Sequence, residues 1–516
     1  MATEMLHHES EDQLEFCQSA FDTSHRINPD CGTAVSAKRR NLVSAQIAWA
    51  DTPVVARLQV LKRARHELAT LAREVVASLP PRLFRRGADT LVSELLPLLD
   101  AIRFLEREAP RLLRLRHLGR SGLPFWLSGL DAEVHRVAFG RILVIGPANY
   151  PLFLPGVQVF QALAAGNAVV WKPGHGGAPV ASLVAEVLYR AGLPRDLLEV
   201  TEDSVEAAQS TIASGVDKVF FTGSGITGRL LLRQLAESAT PCVAELSGND
   251  AAIILPSANL DRVIAALAFG MRLNGSATCM APRRVLLVDF PASLRRLFLD
   301  RLNGAMARID AVALPPTVRR HLVTLLSEAE KDGATILGDL TSEAIGPLIL
   351  TNCTPQMRIT QSDIFAPVLS VIDVVGVEGI LEAQNACPLA LTTSIFGDVR
   401  AAGRLARHLT CGTVTINDLI VPTADARVPF GGRKQSGFGV TRGAEGLLEM
   451  TAVKVISTRR GRSVRHYEPT GESHAELFSS IITAAHAGRF GQRWDSLQRA
   501  FLVAKRFRSD PTQYKR

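Results

Sequence analysis

Lys218-Val219-Phe220-Phe221-Thr222-Gly223-Ser224-Gly225-Ile226-Thr227-Gly228 is the stretch on which the fold turns. An apolar run of strand length breaks at Thr222-Gly223, and Arg229-Leu230-Leu231-Leu232 then reads as helix, so the glycines mark a strand-to-helix turn. The spacing satisfies G-x-G-x-x-G in the setting that makes the pattern informative, where free backbone N–H groups at a helix start favour a pyrophosphate. Glu245, 22 residues after Gly223, stands where such a fingerprint places an acid for ribose hydroxyls. On this stretch alone two readings stay open: a dinucleotide site, or a tight turn common to any α/β protein, since short glycine patterns recur by chance.

On either side of it, short apolar strands at 141–145, 168–171, 197–200, 218–221 and 242–246 alternate with helical segments. Such alternation builds a parallel sheet covered on both faces. From Ala251 to about Leu302 strand and helix alternate again, with a helix over 260–272, which predicts a second α/β unit. Upstream, Asp51-Thr52-Pro53 reads as the start of a long amphipathic helix running through Val54, Leu58, Leu61, Leu68 and Leu71, and a second helix is predicted over 90–108. Between Pro110 and Glu133 Arg, Leu and Gly dominate without a period, which predicts an arm rather than core, and residues 1–36 are polar and aperiodic.

Composition narrows the class. A chain of 516 residues with 47% hydrophobic content can bury a large core and divide into two or more domains, at ~150 residues each. The seven cysteines are odd in number and include no C-x-x-C pair, so neither a disulfide framework nor a metal site is predicted, and a reduced, cytoplasmic setting follows. The acidic first fifteen residues lack the charge and the apolar core of a targeting peptide, and no apolar run approaches the ~20 residues that span a bilayer. The formal charge is +8, but from Arg459 to the end twelve Lys/Arg face five Asp/Glu, so the rest is almost neutral and nucleic acid is not predicted as a partner.

Further motifs occur in one fixed order: Gly146-Pro147-Ala148-Asn149-Tyr150-Pro151, Val170-Trp171-Lys172-Pro173, Phe221-Thr222-Gly223-Ser224, Glu245-Leu246-Ser247-Gly248, Cys279, Asp363-Ile364-Phe365-Ala366-Pro367-Val368, and Pro429-Phe430-Gly431-Gly432-Arg433-Lys434-Gln435-Ser436-Gly437. Together, with Cys279 placed 34 residues after Glu245, they resemble the aldehyde dehydrogenase superfamily from about residue 40 to 457. The resemblance implies an α/β fold with a nucleotide-binding parallel-sheet domain (37–115 and 138–246), an α/β catalytic domain (247–446) and a small oligomerisation arm (116–137 and 447–458). Residues 1–36 become an N-terminal tail, residues 459–516 a basic helical extension, and the assembly a homodimer or homotetramer.

It also implies the chemistry: oxidation of an aldehyde to a carboxylic acid with NAD or NADP, through a cysteine thiohemiacetal and thioester. A planar carbonyl releases hydride poorly, and a thiolate converts it to a tetrahedral adduct that can. Cys279, in Asn274-Gly275-Ser276-Ala277-Thr278-Cys279, is the implied nucleophile, whereas Cys242 and Cys411 read as inert buried thiols. Asn149 is the implied side-chain donor to the oxyanion, and Glu245, reassigned from the ribose, the base that activates water for hydrolysis. For the cofactor the resemblance implies Lys172 and His175 at the adenosine ribose, Gly223, Ser224 and Gly228 in the phosphate loop, and Asp363 with Phe365 at the nicotinamide end.

Several positions depart from the family pattern. Asp363 replaces a glutamate, Ala366 a glycine and Asn249 a lysine, Ser247-Gly248 stands for Gly-Gly, and Ser276-Ala277 stands for Gly-Gln. His175 occupies the place where many NAD-preferring members carry a glutamate, so NADP is expected to be accepted. Two alternatives to the hydrolytic enzyme are an acylating, coenzyme A-dependent dehydrogenase, disfavoured by Glu245, and an impaired member with a binding role, kept open by Asp363 and Ala366. In the basic tail, Trp494, Leu497, Phe501 and Ala504 fall on one face of a predicted helix, which fits an anionic membrane surface, an acidic partner, or packing on the protein itself.

Overall fold

The structure, a computed structural model, describes residues 42–81, 85–460, 467 and 470–509. The polar stretch 1–36 lies outside them. Two compact units form: one running to Arg116 and from Val134 to Val455, the other taking His117–Glu133 and Ile456 onwards.

In the larger unit, a six-stranded sheet is ordered Gly437–Phe438, Cys242–Glu245, Lys218–Thr222, Arg141–Ile145, Ala168–Lys172, Leu198–Val200. All neighbours run parallel except the edge strand Gly437–Phe438. Ala168–Lys172 and Lys218–Thr222 are buried along their whole length, because helices on the faces cover a parallel sheet; hence their continuous apolar runs. Phe160, Trp171 and Phe220 fill the core, and the helix Phe153–Ala164 is buried on every side.

A second sheet of seven strands is ordered Thr335–Leu337, Leu348–Thr351, Val368–Val374, Pro282–Val288, Asp250–Ile254, Thr392–Phe396, Thr413–Ile416, parallel but for the first. The helix over Leu260–Arg272 has the predicted bounds; Asn259 caps it by accepting from the Arg262 N–H. After building this sheet the chain returns to the first one: Gly437 pairs with Glu245. At Gly437, φ is +107°, and a Cβ there would meet the Ala244 carbonyl, so glycine is required.

The helix expected after Asp51-Thr52-Pro53 is present, with an additional helix before it. Residues 42–51 are already helical, and Pro53, which has no N–H and restricts the residue before it, separates them from Val54–Thr70. The second helix is composite, with Gly87–Thr90 α-helical, Leu91–Leu95 a π-helical turn and Leu96–Leu112 α-helical. Segments of π-helix cost regular geometry and occur often at functional sites; here the turn carries the fully buried Glu94.

The strands Arg116–His117, Leu130–Ala138 and Thr451–Arg459 form a separate three-stranded sheet. In the smaller unit Arg460 pairs with Asp131 at 2.6 Å, and helices Glu472–His486 and Phe490–Ser509 form a hairpin. Its buried positions are small, Ser480, Ser496, Ala500 and Val503, which lets helix backbones approach closely. The predicted stripe faces outward instead: Trp494, Leu497 and Phe501 are exposed and Ala504 is half-buried.

Candidate active site

The sequence around Asn274-Gly275-Ser276 cannot continue the helix that ends at Arg272. Asn274, Gly275 and Ser276 have φ of 53°, 57° and 65°, a left-handed run that is costly for the two residues bearing a Cβ. Side chains hold it there. The Asn274 amide donates to the Asn149 and Ala277 carbonyls, each at 3.1 Å. Buried Arg283 donates to the Ser276 hydroxyl at 2.6 Å, to the Ala366 carbonyl at 2.8 Å and to the Ser276 carbonyl. The loop delivers Cys279 to a cavity of about 240 Å³.

Asn149 also lines that cavity, and its amide donates to the Ala277 carbonyl at 2.9 Å, with one N–H left for another acceptor. Its own carbonyl accepts from Arg85 at 3.1 Å. Arg85 in turn forms a buried pair with Glu94 at 2.7 Å, and Glu94 accepts from the Leu152 and Phe153 N–H groups at 3.2 and 2.7 Å. Burial pushes the Glu94 carboxyl up, while Arg85 and the two amides pull it back. Tyr150, packed under the Arg85 guanidinium, shares a 2.9 Å hydrogen bond with Thr278. One ionic network thus ties the Asn149 turn to the Cys279 loop.

Glu245 ends the strand Cys242–Glu245 and is only 2% exposed, yet it lines the same cavity. One carboxylate oxygen, Oε2, accepts from the Thr441 hydroxyl at 3.3 Å, and Oε1 has no protein partner. Desolvation raises its pKa, opposed by Arg442 and Thr441. Cys279 is partly accessible through the cavity but deeply embedded; burial raises its thiol pKa well above the usual value, and Glu245 and Asp250 raise it further. Burial also pushes Cys242 up to about 12 and Cys353 to about 11, but neither lines the cavity.

The glycine loop opens the helix Gly225–Glu237, and Ser224 caps it by accepting from the Thr227 N–H at 3.2 Å. Gly223 and Ser224 line the cavity beside Phe365. A Cβ at Gly228 would lie 2.6 Å from Leu246, so this glycine lets the helix pack against the strand end. Asp363 does not line the cavity; it is half-buried, and desolvation raises its carboxyl to about 6 against Ser247 and Arg283. A helix N-terminus beside a cavity lined by Gly223, Ser224 and Phe365 fits a dinucleotide pyrophosphate and an attached ring.

Lys172, at the end of Ala168–Lys172, is buried, and its pKa is lowered by desolvation against Asp203 and Glu206. His175 is 75% exposed in its side chain and lies 3.6 Å from Asp203, whose carboxylate also accepts from the Gly176 N–H. An acid therefore stands beside His175 after all, supplied from the turn after the neighbouring strand Leu198–Val200. Sequence reading missed Asp203, Arg85, Arg283 and Arg442. Glu94 had a signal, a lone acid in the apolar run Leu91 to Leu96.

Residues 27–456 match the aldehyde dehydrogenase family. The chain is 29% identical over 452 residues to the 4,4'-diapolycopene aldehyde oxidase of a Methylomonas species, covering 85% of this chain and 84% of that protein. It is 30% identical over 467 residues to a Pseudomonas aeruginosa protein named "Probable coniferyl aldehyde dehydrogenase", covering 87% and 96%. A solved Mycobacterium tuberculosis aldehyde dehydrogenase complexed with NAD+ superimposes with a TM-score of 0.74 at 25% identity, covering 83% of this chain and 92% of that one.

Proposed function

This chain belongs to the aldehyde dehydrogenase family, and we propose that it oxidises an aldehyde to a carboxylic acid with NAD or NADP, using Cys279, Glu245 and Asn149. The observation that carries the assignment is their convergence on one cavity that also reaches the helix start at Ser224.

In this reading the Cys279 thiolate adds to the aldehyde carbon, and the carbonyl π electrons move to oxygen. The free N–H of the Asn149 amide and the Cys279 backbone N–H hold the oxyanion, which is where preorganised donors act most strongly. The dinucleotide, when bound, supplies the hydride acceptor. Collapse of the oxyanion leaves a thioester on Cys279. Glu245 then takes a proton from water, whose oxygen attacks the acyl carbon and expels the thiolate. Burial raises the affinity of Glu245 for that proton, as a base working near neutrality requires. Gly223 and Ser224 would hold the pyrophosphate, Lys172 and Asp203 the adenosine ribose, and Phe365 the nicotinamide side.

The six-stranded sheet is the nucleotide-binding part, the seven-stranded sheet carries the catalytic loop, and the three-stranded sheet serves a homodimer or homotetramer. Among the described residues no helix is long and apolar enough to cross a membrane, and the free cysteines there fit a cytoplasmic setting. The exposed stripe Phe490, Trp494, Leu497 and Phe501, with Arg493 and Arg499 on the same helix, fits attachment to an anionic membrane surface. Loss of vesicle sedimentation on truncation after Ser457 tests that attachment. An aldehyde panel with both dinucleotides tests the activity: acid formation without coenzyme A is expected, and dependence on coenzyme A would favour the acylating alternative.

A further inference from the structure

Arg442 has no part in the mechanism above, yet its surroundings are unusual. It is 3% exposed. Its backbone, at φ 61° and ψ 171°, occupies a region kept almost wholly by glycine, and strain of this kind concentrates at functional sites. The guanidinium lies over the rings of Phe430 and Phe153, at 4.3 and 5.4 Å from their centroids. Nη1 donates to the Thr423 carbonyl at 2.6 Å, while Nε and Nη2 have no protein partner. Arginine does not shed its proton in proteins, so this is a buried cation with uncommitted donors.

The groups that act on its charge are acidic. The preceding residue, Thr441, hydrogen-bonds Glu245, whose other oxygen is equally unpartnered, and Arg442 is electrostatically coupled to both Glu245 and Cys279. Around Cys279 stand three acids, Glu245, Asp250 and Asp363, and two cations, Arg283 and Arg442. Arg283 is committed to the Ser276 and Ala366 oxygens. Asp250 is committed to Thr392. We propose that Arg442 is a positioning residue, the fixed positive charge against which the Cys279 thiolate and the Glu245 carboxylate are formed.

Stacking on Phe430 and Phe153 explains why the charge is held off rather than paired. A guanidinium bound bidentately to Glu245 would leave a carboxylate too weakly basic to deprotonate water. At a distance, the same charge opposes the burial and the three acids that disfavour the thiolate, and leaves Glu245 able to take a proton. The proposal rests on Cys279 as nucleophile and Glu245 as base.

The test is the pH dependence of iodoacetamide alkylation at Cys279, read by peptide mass in the full-length chain, with dinucleotide binding and thermal melting as controls for folding. Arg442→Met should move the alkylation midpoint up by about one pH unit or more and slow the hydride burst at neutral pH by about tenfold, and Arg442→Lys should restore most of both. Should Arg442→Met fail to fold, Arg442→Gly, which relieves the backbone strain, must show the same shift. An unchanged midpoint in a folded Met or Gly variant overturns the proposal alone. A hydride burst that persists unchanged in Cys279→Ala overturns the nucleophile assignment, and the proposal with it.

Discussion

The floor of the cavity and the proposed ribose site after the strand Ala168–Lys172 are built in opposite ways. At the floor, Asn149 and Cys279 on turns and Glu245 at a strand end are held by buried side chains: Arg85 and Glu94 behind Asn149, Arg283 and Asn274 behind Cys279, Thr441 on Glu245. At the proposed ribose site Lys172 is buried while the His175 side chain is exposed beside Asp203, an acid from a neighbouring turn. A bond-making centre tolerates little displacement, since tenths of an ångström decide orientation. Ribose recognition requires only a carboxylate within reach, so its source can move between strand ends.

The contrast can be broken by substitution. The largest effect belongs to Cys279→Ala, which should reduce aldehyde oxidation to the detection limit and leave dinucleotide binding intact, measured by turnover and by fluorescence titration. Retained turnover would remove the floor from the account. Next, Glu94→Gln should uncouple Arg85 from the Asn149 turn. A kcat loss of about 10²-fold, the scale of losing one oxyanion donor, is expected without a matching change in dinucleotide affinity. If affinity falls and kcat does not, the network serves stability alone.

At the ribose end the effects are smaller. Asp203 repels a 2′-phosphate, so Asp203→Asn should raise the kcat/KM ratio of NADP over NAD by about tenfold, ~1.4 kcal/mol. No change would mean that His175 and Lys172 decide the choice. The pH profile sharpens the floor: with the Glu245 pKa raised by burial, hydrolysis should fall on the acid side with a midpoint above that of an ordinary glutamate. Below that midpoint Glu245 is protonated and cannot accept the water proton, so thioester should accumulate as pH drops; a midpoint at the ordinary value would place the base elsewhere.

The same division governs what was legible in the sequence. Strand positions were read to within a residue, and the helix Leu260–Arg272 to its bounds, because apolar periodicity and the Asn259 cap are local. Motif residues were legible through the resemblance. Arg85 and Arg442 were not, since Arg442 meets Phe430 and Phe153 only through the folded chain; the lone acid Glu94 stands out, but its partner Phe153, 59 residues away, does not. Nothing local announces that Gly437 returns to pair with Glu245. The tail forms a helix, Phe490–Ser509, but the stripe of Trp494, Leu497 and Phe501 turns outward, and the buried positions in the hairpin are Ser480, Ser496, Ala500 and Val503.

In the proposed reaction Cys279 carries the acyl group and Glu245 releases it. Mixing Glu245→Gln with an aldehyde and NAD or NADP, quenching in acid within the burst and mapping peptides by mass tests it directly. One acyl group on the Cys279 peptide, with about one reduced dinucleotide per chain and no sustained turnover, is the predicted result. An acyl group on another cysteine, or sustained turnover without any adduct, would contradict it.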